Sequence, residues 1–548
     1  MNIASRIVEV SQKFPEKKSV VFSKRKSDGT YEYPFYTFAQ FETRSNQIAN
    51  FLKRTGVKPG MRVLLFVKPC LDFSVITFAL FKMGAIPVLI DPGMGMKNLL
   101  RSVKQVRPDV LISIGRVHWL RRILRDSFKS IKIHVSLDQV WGKTHYLYQN
   151  LENESIEFSP LEVTPETHAA ILFTSGGTGI PKGVIYTHGI LNAQTSSLQQ
   201  MFNLNETNVD VPGFALFALF TLAMGMTSVI PDMDPTRPAQ CDPKKIIKQI
   251  TDHKATFVAG SPAIWKRVGE YCQKHNLTLP TVKQVVMFGA PVRLEIHELF
   301  RSILTNGDTF TPYGATEFLP VALISGSQLL SRHQEKMRNG GGVCLGQAVS
   351  PVQIKIIQVS DIPESEIKEV PRHTPGEILV QGPQVTPGYF EMPDETAKAK
   401  IRVGDTLWHR MGDLGYLDEE NNLWFLGRKA HRVELANETL YSISVESFYN
   451  EHPEINRTSL VKLVRGNQIS AGLVIERVDH KTKADEAFCA DLKKITEKNK
   501  LDESIVEFFL HPNFPVDVRH NIKIDRAALG QWASGRKGWS FKRQSGLG

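Results

Sequence analysis

The chain has 548 residues, of which 42% are hydrophobic and 22% are charged, and its formal net charge is +11. One hydrophobic core does not support this length, so two or more domains are predicted. The 5 cysteines lie too far apart for a CxxC pair, which argues against a zinc site and favours a reducing, cytoplasmic compartment. No basic run is interleaved with aromatic residues, so no nucleic-acid partner is predicted.

Short apolar runs alternate with longer helical patterns through about residue 300. The N-terminal MNIASRIVEVSQKF lacks the apolar centre of a signal peptide. Residues 70–84, CLDFSVITFALFKMG, predict a buried helix. The alternation of short apolar runs with helical patterns is typical of an α/β fold with parallel strands. The predicted strands are residues 62–67, 85–91, 109–114, 256–261 and 284–290.

The most basic stretch is RVHWLRRILRDSFK, residues 116–129. Its spacing predicts an amphipathic helix with arginines on one face and apolar residues on the other. We expect the basic face to be solvated; docking to a partner or to anionic lipid is the alternative. The predicted apolar face comprises Trp119, Leu120, Ile123, Leu124 and Phe128.

A glycine-rich loop is predicted within residues 173–188, FTSGGTGIPKGVIYTH, because apolar strand-like runs precede and follow it. Glycine lets backbone N–H groups turn toward an anion, and hydroxyl groups and an ammonium add donors. The spacing matches neither the Walker A motif nor the dinucleotide fingerprint. It favours a triphosphate cradle over a flexible surface turn. The predicted phosphate contacts are Thr174, Ser175, Gly176, Gly177, Thr178, Gly179 and Lys182.

Residues 211–230, VPGFALFALFTLAMGMTSVI, carry no charge over about the length that spans a bilayer. However, Pro212, Gly213 and Gly225 interrupt the segment, and no Lys/Arg cluster flanks it. We therefore predict a buried element that lines an apolar cavity, in a protein that is not integral to the membrane.

Two motifs follow predicted strands and offer groups suited to a nucleotide. A tight GAP corner at residues 289–291 can accept an adenine edge, and YGATE at residues 313–317 begins with a tyrosine that can stack on a base. In that second motif Thr316 can donate to a phosphate, and Glu317 can bind Mg²⁺, which typically takes one or two carboxylates plus phosphate oxygens. The remaining predicted nucleotide contacts here are Gly289, Ala290, Pro291, Tyr313 and Gly314.

The last third of the chain changes character twice. From Gly346, closely spaced strands predict a β-rich subdomain, and after Arg428 a mixed α+β segment begins. We predict a large domain over residues 1–428 and a small mobile domain over residues 429–548. Asp413 lies in a glycine-flanked turn suited to ribose hydroxyls. Lys523, near the C-terminus, can supply charge to a phosphate when its domain closes.

Taken in chain order, these motifs resemble those of the adenylate-forming superfamily of acyl-CoA synthetases, firefly-type luciferases and adenylation domains. Residues 174–183 match its phosphate loop and 313–317 its YGxTE motif; 388–390, 412–413 and 427–428 match its GYW-type corner, TGD motif and GR hinge. The resemblance spans nearly the whole chain. It implies ATP and Mg²⁺ as cofactors, catalytic roles for Lys182, Thr316, Glu317 and Lys523, and nucleotide contacts at Asp413 and Arg428.

Departures from the superfamily motifs resemble one branch, the olefin β-lactone synthetases. Ala218 stands where many CoA-using members carry a histidine, Met411 replaces a threonine, and the motif before Lys523 is two residues longer and has Asn521 in place of glycine. Members of this branch adenylate a long-chain 2-alkyl-3-hydroxy acid, whose own hydroxyl then displaces AMP. The resemblance therefore implies β-lactone formation.

Other interpretations stay open at this point. A long-chain acyl-CoA synthetase or acyl-AMP ligase shares the first half-reaction, and contact with a membrane surface or a pathway enzyme is compatible with the sequence. A non-catalytic nucleotide-binding protein is disfavoured because all the charged motif residues are retained. The candidates for a general base are His188, His409, His431 and His520.

Overall fold

The chain folds into the layers of sheet and helix that the alternating pattern predicts. A computed structural model describes residues 1–140, 142–174, 180–360, 367–481, 483–516 and 524–541. The chain forms two compact units. The first consists of Met1–Val321, Val349–Gln353 and Val380–His409, and the second of Ala322–Ala348, Ile354–Leu379 and Arg410–Gly548.

All residues after Arg428 belong to the second unit, together with earlier segments of the chain. The division into two compact units does not tell whether residues 429–548 move. The boundary between residues 1–428 and a mobile domain over residues 429–548 therefore stays a prediction.

The first unit contains a largely parallel sheet that carries the YGATE and GAP motifs. From Asp308–Ala315 to Lys18–Phe22 the neighbouring strands are parallel, and Phe35–Thr37 is antiparallel to Lys18–Phe22. Phe318–Ser325 lies beside Asp308–Ala315, and its end pairs antiparallel with Gln347–Ala348. From Phe318–Ser325 the order continues with Asp308–Ala315, Gln284–Met287, Phe257–Gly260, Val209–Pro212, Thr227–Ile230, Lys18–Phe22 and Phe35–Thr37. Lys24–Arg25 and Tyr31–Glu32 form a separate hairpin.

A second sheet of the first unit ends at the strands around the glycine-rich loop. Only its edge strand, Lys182–Thr187, is antiparallel to its neighbour in this described sheet. The order is Lys182–Thr187, His168–Thr174, Ile86–Ile90, Arg62–Phe66, Val110–Ser113, Ile133–Ser136 and His145–Tyr146. The strands predicted at residues 62–67, 85–91 and 109–114 are thus confirmed.

Helices cover the sheets of the first unit. Leu71–Lys82, the helix predicted within residues 70–84, is buried along almost its whole length, with Val75, Ile76 and Phe78 fully buried. The other α-helices are Ser5–Lys13, Phe38–Arg54, Met96–Val106, Gly115–Ile123, Arg125–Phe128, His188–Phe202, Phe217–Ala223, Pro243–Asp252, Pro262–Lys274, Leu294–Arg301 and Pro393–Ala399. Short 3₁₀ turns occupy Pro92–Met94, Leu151–Asn153 and Pro238–Gln240.

The long apolar stretch at residues 211–230 is not one helix. It divides into the end of strand Val209–Pro212, helix Phe217–Ala223 and strand Thr227–Ile230, and most of it is buried. The prediction of a buried element is confirmed. Within the described part of the chain, none of the helices combines the length and apolarity needed to cross a membrane.

The predicted amphipathic helix at residues 116–129 is wrong in its apolar face. The chain forms helix Gly115–Ile123, leaves helical geometry at Leu124, and forms a second short helix, Arg125–Phe128. Phe128 is buried, but Trp119 and Ile123 are exposed. The break at Leu124 rotates the later residues, so the five apolar positions do not form one continuous stripe.

The second unit confirms the predicted change to closely spaced strands. One sheet is built around the antiparallel hairpin of Thr406–Leu417 and Leu423–Arg428, and Lys400–Val403 is antiparallel to the start of Thr406–Leu417. The sheet order is Val343–Cys344, Leu423–Arg428, Thr406–Leu417, Gly376–Gln381 and Gln353–Ile357. Gln347–Ala348 pairs with the end of Phe318–Ser325. Helical turns fill Gly326–Gln328, Leu329–His333 and Gln334–Arg338.

The mixed α+β segment predicted after Arg428 is also present. Ile455–Arg465 and Gln468–Arg477 form an antiparallel pair, and Ile505–Leu510 lies parallel to the latter. Val433–Glu434 pairs with Thr439–Leu440. The helices are Ser442–Asn450, Glu486–Lys498 and Arg526–Ser534, with a 3₁₀ turn at Lys429–His431.

Candidate active site

The strands that flank the glycine-rich loop pair with each other, as predicted. His168–Thr174 and Lys182–Thr187 are antiparallel, with Thr174 opposite Lys182. The loop therefore joins two adjacent strand ends. Its central residues, Ser175, Gly176, Gly177, Thr178 and Gly179, lie outside the described residues, and their phosphate contacts, with that of Thr174, stay predictions.

Lys182 is held by a carboxylate that the sequence did not point to. Its Nζ lies 2.5 Å from Oε2 of Glu395 and 4.9 Å from the ring centroid of Tyr389. Hydrogen bonds from Lys182 and Lys398 lower the pKa of Glu395, so this carboxylate is charged at neutral pH. The ammonium of Lys182 is thus oriented by Glu395 and by an aromatic face.

Tyr389 links Lys182 to Glu317. Its hydroxyl donates to Oε1 of Glu317 at 2.8 Å, while its ring lies beside the Lys182 ammonium. The backbone of this corner is fixed to the strand after the loop, because the N–H of Phe390 donates to the carbonyl of Gly183 at 2.7 Å. The structure therefore brings the predicted Lys182 and Glu317 together around one tyrosine.

The backbone of Thr316 and Glu317 is anchored by two side chains. The Tyr186 hydroxyl donates to the carbonyl oxygen of Thr316 at 2.7 Å. The hydroxyl of Thr386 donates to the carbonyl oxygen of Glu317 at 2.8 Å. Both carbonyls are occupied, which fixes the direction in which these two residues leave the strand Asp308–Ala315.

A partly buried lysine, Lys400, lies beside the same group and was missed by sequence reasoning. Its Nζ donates to the hydroxyl of Thr386 at 3.1 Å. Burial lowers the pKa of Lys400 to about 7, although the charge of Glu317 acts in the opposite direction. Lys400 begins the short strand Lys400–Val403, and no local pattern distinguishes it from a surface lysine.

Two of the histidines proposed as bases, His409 and His188, are buried. Burial, helped by the charges of Lys400 and Lys182, holds the pKa of His409 well below its usual value. Its Nδ1 lies 3.1 Å from the carbonyl oxygen of Ala399, and because a carbonyl only accepts, the proton is on Nδ1 and the lone pair on Nε2. Nδ1 of His188 instead accepts from the N–H of Ile3, and burial lowers its pKa to about 4.

The roles of His431 and His520 as bases stay predictions. Burial and the charges of Arg526 and Arg428 lower the pKa of His431, a residue of the second unit, to about 4. His520 lies outside the described residues.

The two predicted nucleotide motifs follow neighbouring strands. Gln284–Met287 and Asp308–Ala315 are parallel, so residues 289–291 and 313–317 emerge at the same edge of the sheet. Ligands of open α/β sheets bind at this carboxyl edge. Gly289 has φ +89°, a conformation that favours glycine. A Cβ on Gly314 would lie 2.8 Å from that of Leu319. Contacts of Ala290, Pro291 and Tyr313 with adenine stay predictions.

Aromatic rings lie next to the GAP corner. Phe217 stacks on Phe288 with ring centroids 5.7 Å apart, and Phe214 meets Phe288 edge-on at 6.4 Å. Phe214 is only partly buried. Ala218, next to Phe217, is fully buried in the apolar core. This arrangement provides an apolar surface beside residues 289–291.

Asp413 and Arg428 are brought together in the second unit. They are opposite each other in the antiparallel hairpin, and Nη1 of Arg428 lies 3.1 Å from Oδ1 of Asp413. Asp413 is buried, whereas Arg428 is half-exposed. Arg428 also donates to the carbonyl of Met411 at 3.4 Å. Their contacts with a nucleotide stay predictions.

The chain beyond Arg428 is tied to the β-rich part of the second unit. Nζ of Lys429 lies 3.1 Å from Oε2 of the buried Glu377, which also accepts from Arg410 at 2.5 Å. Further on, Val516 and Ile524 pair across residues 517–523. Lys523 is one of these undescribed residues.

Glu317 has the chemistry expected of a ligand to nucleotide-bound Mg²⁺. Among the described residues there is no group of three or more His, Cys, Asp or Glu residues that could hold a metal alone. A single carboxylate suits Mg²⁺ that is shared with phosphate oxygens. Glu317 fits that pattern, since its Oε1 accepts a hydrogen bond from the neutral hydroxyl of Tyr389.

A family model described as AMP-binding enzyme matches residues 7–390. The chain therefore belongs to the AMP-binding enzyme family. This confirms the resemblance to adenylate-forming enzymes and the prediction of an ATP-dependent ligase of the acyl-adenylate-forming class.

Two curated relatives of this family share one name and match the chain along nearly its whole length. Olefin beta-lactone synthetase of Stenotrophomonas maltophilia (strain K279a) is 38% identical over 97% of this chain and 98% of that protein. The protein of that name from Xanthomonas campestris pv. campestris is 37% identical over 97% of each chain. Among solved structures, ATP-bound MatB of Rhodopseudomonas palustris superposes with a TM-score of 0.77 at 19% identity, covering 97% of this chain and 99% of that one. That likeness confirms the α/β fold.

Proposed function

We propose that this protein uses ATP to adenylate a long-chain 2-alkyl-3-hydroxy acid and then closes the acyl adenylate to a β-lactone, with release of pyrophosphate and AMP. The observation that carries the proposal is the 37–38% identity to two olefin beta-lactone synthetases along nearly the whole chain. The grouping of Lys182, Tyr389 and Glu317 supports the first step.

In the adenylation step, a carboxylate oxygen attacks the α-phosphorus and the bond to pyrophosphate breaks. Negative charge builds up on the phosphate oxygens, so preorganised cations and N–H donors lower the barrier. Lys182 supplies such a cation next to the glycine-rich loop. Mg²⁺ held by Glu317 and the phosphates would neutralise further charge.

In the closure step, the oxygen of the 3-hydroxyl attacks the acyl carbon, the hydroxyl proton leaves, and the bond to AMP breaks. Nucleophile and electrophile belong to one molecule, so holding the chain in a folded conformation supplies much of the rate. The partly buried Phe214 and the stacked Phe217 and Phe288 offer an apolar surface for alkyl chains. Ala218 offers no polar group to an incoming thiol.

We further propose that residues 429–548 move during the reaction and deliver Lys523 to the phosphates. The glycine at Gly427 and the motif around Lys523 support this proposal. The protein is proposed to act in the cytoplasm; the free cysteines, of which Cys241, Cys272 and Cys344 are buried, are compatible with reducing conditions.

Product analysis tests the proposal. Purified protein is incubated with ATP, Mg²⁺ and a synthetic 2-alkyl-3-hydroxy acid, with and without CoA, and the products are identified by mass spectrometry. We expect AMP and a β-lactone without CoA. The matched 2-alkyl acid that lacks the hydroxyl should stop at the acyl adenylate. An obligatory need for CoA, with acyl-CoA as the product, would replace the proposal with an acyl-CoA synthetase.

A further inference from the structure

One helix of the first unit exposes apolar side chains. In helix Gly115–Ile123, Trp119 is 63% exposed and Ile123 is 78% exposed. Four residues apart, they share one face of the helix. The preceding residue, His118, is buried, and its Nε2 lies 3.0 Å from the carbonyl oxygen of Val135. This contact anchors the helix to the strand Ile133–Ser136 while Trp119 and Ile123 stay exposed.

Basic side chains surround this apolar pair. Arg116 and Arg122 in the same helix, and Arg125 just after it, are exposed. The guanidinium carbon of Arg122 lies 5.3 Å from the ring centroid of Trp119. The acidic residue of this stretch, Asp126, forms an ion pair with Lys104 at 3.8 Å. The exposed face thus combines an aromatic and an aliphatic side chain with an excess of positive charge.

A neighbouring helix extends the positive charge. Helix Met96–Val106 and the turn Arg125–Phe128 pack over one apolar cluster that includes Val103 and Phe128. This helix exposes Arg101 as well as Lys104. The positive charge is therefore not confined to a single helix.

We propose that this surface docks the protein on a membrane that contains anionic lipid. The basic helix surface consists of Arg116, Trp119, Arg122, Ile123 and Arg125. Amphipathic helices with basic and aromatic residues lie in the bilayer interface, where arginines meet anionic headgroups and tryptophan sits at headgroup level. Charge and side-chain type both match that environment.

The same features fit a protein partner less well. A stable protein interface buries about 1,600 Å² and has a desolvated apolar centre. Trp119 and Ile123 alone do not supply such a centre, and arginines surround them. A lipid interface requires neither shape complementarity nor a large buried area, because shallow insertion and electrostatic attraction are sufficient.

Vesicle binding tests this proposal in the absence of ATP and of any acid, so its outcome is independent of the proposed reaction. The full chain is mixed with sucrose-loaded vesicles of phosphatidylcholine alone, or of phosphatidylcholine with phosphatidylglycerol, and sedimented. We expect strong binding only to the anionic vesicles, and its loss as ionic strength rises well above that of physiological salt.

Two variants locate the contact. Trp119→Ser combined with Ile123→Ser, and Arg116→Gln combined with Arg122→Gln, should each weaken binding by about tenfold or more. Matched controls are Val478→Ser, an exposed aliphatic residue, and Lys493→Gln combined with Lys494→Gln, an exposed basic pair. The controls should bind as the wild type does, and circular dichroism should show all variants folded.

Three results would overturn the proposal: equal binding of the wild type to both vesicle types, unchanged binding of both surface variants, or an equal loss in the controls. Capture of a second protein that depends on Trp119 and Ile123, without vesicle binding, would also overturn it and assign the surface to a protein partner.

Discussion

Two lysines of the first unit differ in burial and in surroundings: Lys82 is fully buried and Lys400 is partly buried. Lys82 is fully buried in the helix Leu71–Lys82, and its Nζ donates to Oε1 of Glu42 at 2.6 Å, to Ser45 at 2.7 Å and to Asn46 at 2.5 Å. Each of its three N–H groups has an acceptor, one of them a carboxylate. Burial still lowers the pKa of Lys82, but Glu42 opposes that effect.

Lys400 has fewer partners. Among the described residues, Nζ of Lys400 donates one hydrogen bond, to the hydroxyl of Thr386. Glu317 acts on Lys400 through its charge, and burial lowers the pKa of Lys400 to about 7. An ammonium that is partly withdrawn from solvent and has few hydrogen bonds costs stability, and such groups are characteristic of functional sites. The comparison suggests that Lys82 stabilises the fold whereas Lys400 tunes the charge around Glu317.

The largest effect is expected at Glu317. Glu317→Gln keeps the size of the side chain but removes the charge that would bind Mg²⁺ and that favours the charged form of Lys400. Loss of a Lewis-acid metal costs several kcal/mol, so turnover should fall by about 10³-fold. Acyl-adenylate formation is measured at saturating Mg²⁺. Turnover within threefold of the wild type would reject the metal assignment.

The next effect concerns stability at Lys82. Lys82→Met leaves the partly buried Glu42 carboxylate without its cation and removes three hydrogen bonds, which should lower the free energy of unfolding by about 3 kcal/mol. Chemical denaturation measures this change. Turnover per folded molecule should stay within about twofold of the wild type. A stable but inactive variant would mean that Lys82, and not only Lys400, serves the reaction.

A third lysine, Lys523, should affect rate without affecting affinity. If residues 429–548 deliver it to the phosphates, Lys523→Ala should lower the rate of adenylate formation by about 10²-fold, the scale seen when one charge-stabilising donor is removed. Single-turnover kinetics measure the rate, and equilibrium titration measures ATP binding. Weak ATP binding with a normal rate at saturation would contradict the delivery role. Lys537, also near the C-terminus, provides the matched control variant.

The smallest effect, about tenfold, is expected from substitution of Lys400, and it concerns how the Mg²⁺ requirement depends on pH. Below its pKa of about 7 the ammonium is charged and opposes a cation at Glu317; above that pH it is neutral. The Mg²⁺ concentration for half-maximal activity should therefore fall as the pH rises from about 6 to about 8. In Lys400→Met this dependence should be about tenfold weaker, whereas the exposed control Lys398→Met should behave as the wild type does.

Lys400→Met should change the free energy of unfolding in the direction opposite to that of Lys82→Met. The pKa of Lys400 in the folded protein lies below its ordinary value of 10.5. The cost of burying its charge is therefore fully present below pH 7 and is relieved as the pH rises from about 7 toward 10.5. Lys400→Met should be more stable than the wild type at about pH 6, and the difference should shrink above pH 7. Chemical denaturation of the variant and the wild type at about pH 6 and above pH 7 measures this difference. A variant that is less stable than the wild type at about pH 6 would contradict the prediction.

The sequence predicted those parts of the fold and site that local patterns encode. Apolar runs located the strands Arg62–Phe66 and Gln284–Met287, and motif spacing singled out Lys182 and Glu317. Tyr389 was part of a recognised motif, but its role as the link between these two residues was not predicted. That role depends on a contact with Glu317 across the fold, which no periodicity records.

The residues that were missed depend on long-range contacts. Glu395 meets Lys182 from more than 200 positions away, and the surroundings that lower the pKa of Lys400 come from segments distant in the chain. The predicted apolar face at residues 116–129 failed for a related reason. Helical spacing does not reveal that the helix ends at Ile123.

The ion pair between Lys182 and Glu395 has a consequence for selectivity. An anion that reaches this lysine must exchange with a carboxylate tethered to the same chain, which is therefore present at a high effective concentration. Monovalent anions such as chloride are poor competitors in that exchange, whereas a polyphosphate that contacts several donors at once can displace it. Because the lysine side chain is already ordered, its entry into a new pairing requires little conformational search. We therefore expect the carboxylate of Glu395 to occupy Lys182 until an anion that carries several negative charges displaces it.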